Sequence, residues 1–115
     1  MKFLLAAAFC IISFQLFASE KQDAIIAVWN TGEVNVEVYK SNERYIGNPV
    51  NSEGKLVKEV EILNLEFKNG KWVGKIYSKK RDRLMNVECL VKGGKLYLTV
   101  SAGIASKELE WIRAK

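Results

Sequence analysis

From residue 24 to residue 113 apolar and polar residues alternate almost without interruption, the period of two that a β-strand shows when one face meets a core and the other meets water. Eight runs carry the pattern, at 24–29, 33–39, 43–47, 57–67, 71–78, 83–92, 95–102 and 107–113. The stretches between them are short and rich in Gly and Asn. Asn69-Gly70 and Gly93-Gly94 are the clearest turns, because a two-residue primed hairpin loop needs positive φ at its centre. No run sustains a helical period. The pattern therefore predicts an all-β chain, an antiparallel up-and-down meander of about eight strands.

Alternation also assigns side chains to faces. Val34, Val36 and Val38 point to the core, while Glu33, Asn35 and Glu37 point to water. Trp72, Gly74 and Ile76 share an inner face, as do Met85, Val87, Cys89 and Val91. Leu96, Leu98 and Val100 form a third such set, and Leu109, Trp111 and Arg113 a fourth. The run at 57–67 breaks the rule, with Val60 and Ile62 on one face and Leu63, Leu65 and Phe67 on the other. Keeping both sets inside needs a bulge or break near Ile62 and Leu63, or a short helical turn there. A flat sheet of eight strands would leave two edges unpaired and one face wet, whereas closure into a barrel removes the edges and buries one face throughout. A small closed barrel is the expectation, with a sandwich of two sheets as the alternative.

Residues 1–18 stand apart. Lys2 precedes an apolar run over residues 3–14, and a polar stretch begins at Ser19, the layout of a secretory signal peptide that is too short to span a bilayer. Ala18 is the favoured cleavage point, as the small residue at the polar boundary. This division expects a signal peptide over 1–18 and a single β-barrel domain over 19–115. Lipid attachment at Cys10, which the preceding Phe9 disfavours, and retention of the leader as an anchor remain alternatives. Of the formal charge of +5, Lys2 supplies one, so the exported domain carries +4. Without Cys10, Cys89 is alone in an oxidising compartment and can form no internal disulfide. Its place on an apolar strand face favours a small buried residue over a reactive thiol.

The chain has no His, which removes the usual base of a nucleophilic triad and the commonest zinc ligand, and it has no Gly-rich phosphate loop. No enzyme, metal or cofactor is expected. Three carboxylate pairs, Glu33 with Glu37, Glu59 with Glu61 and Glu108 with Glu110, share strand faces with carboxyls roughly 7 Å apart or more. Each alternates with apolar residues and so faces water, without the burial or close charged neighbour that readies a carboxyl for acid–base catalysis. The run Lys79-Lys80-Arg81-Asp82-Arg83, with Tyr77 and Tyr97 nearby, reads as a solvated turn or as a contact for an anionic lipid surface. Nucleic acid is not an expected partner of an exported chain.

Ala27-Val28-Trp29, Tyr45-Ile46-Gly47, the run from Gly70-Lys71-Trp72 through Ile76-Tyr77-Ser78, and the closing Trp111-Ile112-Arg113 together resemble the exported bacterial family known as domain of unknown function 2147. The likeness spans residues 26–113. It departs from the family pattern at Ala27, where a Gly is usual, at Lys79, where a Pro often stands, and in a short loop around 48–55. The resemblance implies a lipocalin-like barrel in the periplasm of a Gram-negative cell and implies no known reaction. On the residues alone, Arg113 stacked on Trp29 would close one barrel end, gaining roughly 0.5–2 kcal/mol; Trp111 joins them as a third closure residue. Trp72, Ile76, Met85, Val87, Cys89 and Leu98 are the expected lining of the interior, a site for a small apolar or amphiphilic molecule. The competing expectation is a side-chain-filled barrel, monomeric or dimeric, that meets an envelope protein or lipid surface through an outer patch of Val73, Tyr77, Tyr97 and Ile112.

Overall fold

The computed structural model describes residues 22–115, so the signal peptide expected over 1–18 and its expected cleavage point lie outside the described residues. Eight strands follow in order: β1 (Val28–Asn30), β2 (Asn35–Ser41), β3 (Arg44–Val50), β4 (Leu63–Lys68), β5 (Lys71–Ser78), β6 (Arg83–Lys92), β7 (Lys95–Ala102) and β8 (Ala105–Arg113). Each pairs antiparallel with the next, and β8 returns to β1 through Trp29↔Arg113 and Asn30↔Ile112. The sheet is thus a closed up-and-down barrel, which settles the choice against a sandwich.

Chain alternation sorts the connections onto two ends. The β2–β3, β4–β5 and β6–β7 turns share one end and are tight, with positive φ at Asn42 and Glu43, at Asn69 and Gly70, and at Gly93 and Gly94. The β1–β2, β3–β4, β5–β6 and β7–β8 connections share the other end, the mouth.

The tight-turn end is plugged by the residues before β1. Ile25 is fully buried, and its carbonyl accepts the Trp29 indole N–H at 3.0 Å. The Trp72 indole N–H donates to the Gln22 carbonyl at 3.1 Å, and the Tyr45 hydroxyl donates to Asp23 Oδ1 at 3.1 Å. Arg113 lies 5.3 Å over the Trp29 ring and donates to the Ala24 carbonyl at 3.3 Å. These contacts reach from β1, β3, β5 and β8 to one segment, so that segment crosses the barrel end. Here the expectation of a strand over 24–29 is corrected: β1 begins only at Val28, with the Ala27 carbonyl accepting the Val38 N–H just before it, because residues 22–25 turn across the opening.

The expected break near Ile62 and Leu63 is present, since β4 starts at Leu63. Residues 51–62 instead fold back along β3, where Val57 N–H donates to the Pro49 carbonyl and Ile62 N–H to the Gly47 carbonyl. Asn48 pins this loop. It is 1% exposed, donates from Nδ2 to the Val60 carbonyl at 2.9 Å and accepts the Tyr39 hydroxyl at 2.6 Å. A buried amide survives here because both its oxygen and its nitrogen have partners. Two glycines on inner positions let neighbouring strands press together: a Cβ on Gly74 would collide with the Asn64 carbonyl oxygen, and one on Gly47 would stand 3.0 Å from Val36 Cγ1.

Inner faces otherwise follow the alternation, with Val36, Val38, Trp72, Ile76, Val87, Cys89, Leu96, Leu98, Val100 and Trp111 buried. Val34 is a correction: it precedes β2 and is 45% exposed at the mouth rather than buried in the core.

Candidate functional site

Above the plug the barrel interior divides into a filled base and a hollow mouth. In the base Trp29, Tyr45 and Trp72 are fully or almost fully buried, and Phe67 meets Trp72 edge-on at 5.1 Å. Large rings occupy most of the width that eight strands enclose. Toward the mouth the inner positions hold Val36, Pro49, Val100 and the Ala102↔Ala105 pair, and a cavity of about 1280 Å³ opens between them. Its walls are Val36, Ile62, Ile76, Met85, Val100 and Leu109, and Trp111 reaches it from below.

The six expected lining residues separate along this boundary. Ile76 and Met85 face the cavity. Trp72, Val87, Cys89 and Leu98 also point inward, but they pack against one another in the base, so the space opens beside Ile76 and not beside Trp72. Cys89 pairs with Trp72 on one side and Leu98 on the other, and burial pushes its thiol up to about 12. A thiol held protonated in this way is inert as a nucleophile. Of the three residues expected to close the barrel, Trp29 and Arg113 sit at the plugged end. Trp111 lies closer to the mouth and belongs to the cavity, a correction that follows from its pairing with Leu96 two positions inward from Arg113.

The rim is charged and two-sided. Glu33 on the β1–β2 connection and Glu59 and Glu61 on the β3–β4 loop line one part of it. Lys79, Lys80 and Arg81 on the β5–β6 turn and Lys107 on β8 line the opposite part. Among the described residues none of these four cations forms an ion pair, whereas Arg44, Lys71 and Lys95 lower on the barrel are paired with Glu66, Glu88 and Glu110. The β5–β6 turn is held in shape by Tyr77, whose hydroxyl donates to Asp82 Oδ1 at 2.6 Å; that bond raises the Tyr77 pKa.

Lys107 is the residue that sequence reasoning missed. It pairs with Val100 and lies two and four positions before Leu109 and Trp111, so strand alternation places it on the inner face. The signal was present in that spacing, but only the position of the opening shows that an inner face at this height meets solvent. The carboxylate pairs do not converge: Glu59 and Glu61 are exposed on the loop, and Glu108 and Glu110 lie on the outer face of β8. The expected outer patch is also rearranged. Val73 and Tyr77 are only partly exposed, and Tyr97 and Ile112 are instead joined by Leu90, which pairs with Tyr97.

Among the described residues no group of three or more His, Cys, Asp or Glu is placed to hold a metal ion. Neither family models, nor curated proteins, nor solved structures yield a match to this chain.

Proposed function

We propose that this protein is an exported, periplasmic, lipocalin-like barrel that binds a small amphiphilic molecule in its mouth, without catalysis. The observation that carries the reading is the cavity of about 1280 Å³, apolar on its walls and charged at its rim, above a base closed by aromatic packing. That volume is at or above the range of ordinary small-molecule sites, roughly 300–1,000 Å³. An aliphatic wall favours an apolar tail standing on Trp111, while Lys107 on the inner face favours a polar head near the opening. The leader at 1–18 and the likeness to domain of unknown function 2147 support export to the periplasm.

A second reading, an envelope interaction module, draws on a different place. Leu90, Tyr97 and Ile112 are 52%, 38% and 55% exposed on neighbouring outer positions of β6, β7 and β8. Native mass spectrometry on protein taken from the periplasm without detergent separates the two. Extra mass that leaves on denaturation, together with its loss in Ile76→Trp, is expected for the cavity reading. A clean monomer mass with no uptake of 1-anilinonaphthalene-8-sulfonate overturns it, and a doubled mass abolished by Tyr97→Ser favours the outer face.

A further inference from the structure

Exposed large apolar residues occur toward both ends of the barrel, with Val34, Val60, Leu84 and Ile104 at the mouth and Ile26, Leu90, Tyr97 and Ile112 nearer the plug. The two most exposed, Ile104 at 107% and Leu84 at 62%, both lie at the mouth. Ile104 follows Gly103, whose φ of 65° makes the tip of the β7–β8 hairpin, and Leu84 continues the β6–β7 register from Asn86↔Ser101 toward that tip. Next to them stands the β5–β6 turn with Lys79, Lys80 and Arg81, joined to Arg83 at the start of β6. Asp82 is the one acid in that run, and its carboxylate accepts the Tyr77 hydroxyl. The turn is therefore shaped by its own side chains, and Lys79, Lys80 and Arg81 at the rim and Arg83 beside them are all exposed. The tight turns of the opposite end carry Asn42-Glu43, Asn69-Gly70 and Gly93-Gly94, with no apolar tip among them.

We infer that the β5–β6 and β7–β8 tips dock the barrel mouth on an anionic phospholipid bilayer, with Ile104 and Leu84 entering the interface and Lys79, Lys80, Arg81 and Arg83 meeting the headgroups. Two features fit this partner specifically. An apolar tip flanked by unpaired cations matches a surface that is negative at the headgroups and apolar beneath them, each cation near such a surface contributing on the order of 1 kcal/mol. The docked tips also border the cavity, since Ala102, Ala105 and Lys107 of the same hairpin line it, so an amphiphile leaving the bilayer would meet the opening directly. The inference rests on the ligand reading only for that last consequence; docking itself stands on the tips.

The test is co-sedimentation of the mature chain with vesicles of phosphatidylcholine alone and with about one-third phosphatidylglycerol, at low and physiological salt. Binding is expected only to the anionic vesicles and is expected to weaken with salt. Lys79→Glu with Lys80→Glu should lower the partition coefficient roughly tenfold or more. Ile104→Ser should lower it severalfold with melting unchanged, because that side chain touches solvent. Lys68→Glu with Lys92→Glu, at the plugged end, should leave it within about twofold. Failure of the wild-type chain to bind anionic vesicles overturns the inference, and so does an equal loss from the plugged-end variant. Uptake of 1-anilinonaphthalene-8-sulfonate, measured without vesicles, reports the cavity separately: vesicle binding lost with probe uptake retained removes docking alone, and the reverse removes the ligand reading alone.

Discussion

The base and the mouth of this barrel are built from the same eight strands and differ in what stands on their inner positions. In the base, Trp29, Tyr45 and Trp72 fill the width, and residues 22–25 seal the end with hydrogen bonds to all three rings. In the mouth, Val36, Pro49, Val100, Ala102 and Ala105 leave the same girth open. Eight strands enclose an interior that side chains can just fill, so the difference between a packed core and a cavity is a matter of side-chain volume at a few registers. The comparison teaches that one barrel can hold both a packed core and an open cavity, divided along its axis.

The largest test of that division is to remove an aromatic ring from the base. Trp72→Ala should cost about 3–5 kcal/mol and lower the melting temperature accordingly, since it deletes a buried ring and the bond to the Gln22 carbonyl. Trp29→Ala should behave in the same way; melting at the wild-type temperature would show that the plug does not hold the fold. Gly74→Ala comes next, at roughly 1–3 kcal/mol, because the added methyl must displace the β4 backbone at Asn64. Urea midpoints would check both.

Alkaline titration sharpens the contrast from another side. Burial, followed by the hydrogen bond and charge of Asp23, raises Tyr45 from 10.0 to about 12, and burial raises Cys89 from 9.0 to about 12. For both groups the folded state favours the protonated form. Their contribution is therefore complete below pH 9 and is lost as pH rises toward 12. Stability should fall over that window in the wild-type chain, and Tyr45→Phe should flatten the fall between pH 10 and 12. An unchanged slope in that variant would place the alkaline loss elsewhere.

Substitutions in the mouth should move stability least. Lys107→Met is expected to shift folding free energy by no more than about 0.5 kcal/mol while weakening the cavity for a sulfonate probe. Thermal melts and a fluorescence titration read the two effects apart. A stability loss as large as that of Trp72→Ala would mean that the mouth is part of the packed core after all.

Much of this fold was legible along the chain. The alternation at 71–78, 83–92 and 95–102 matches β5, β6 and β7 residue for residue, and Asn69-Gly70 marks the β4–β5 hairpin and Gly93-Gly94 the β6–β7 hairpin. Trp29 and Arg113 also meet as their end positions suggested. The less regular parts were not legible. A strand was expected over 24–29 because its residues are apolar, yet Ile25 is apolar in order to plug an opening rather than to pair. Trp72, Val87, Cys89 and Leu98 were expected to line a ligand site together with Ile76 and Met85 because all six face inward, and facing inward says nothing of how much space is left.

What the sequence by itself determined is the strand pattern, its faces and its turns, since these rest on local backbone preference and a period of two. Only the tertiary structure decided which end is sealed, where the cavity lies and which charges reach it. Those depend on register around a closed ring and on summed side-chain volume at each height, quantities shared among strands as distant in sequence as β1 and β8 and carried by no single stretch of the chain.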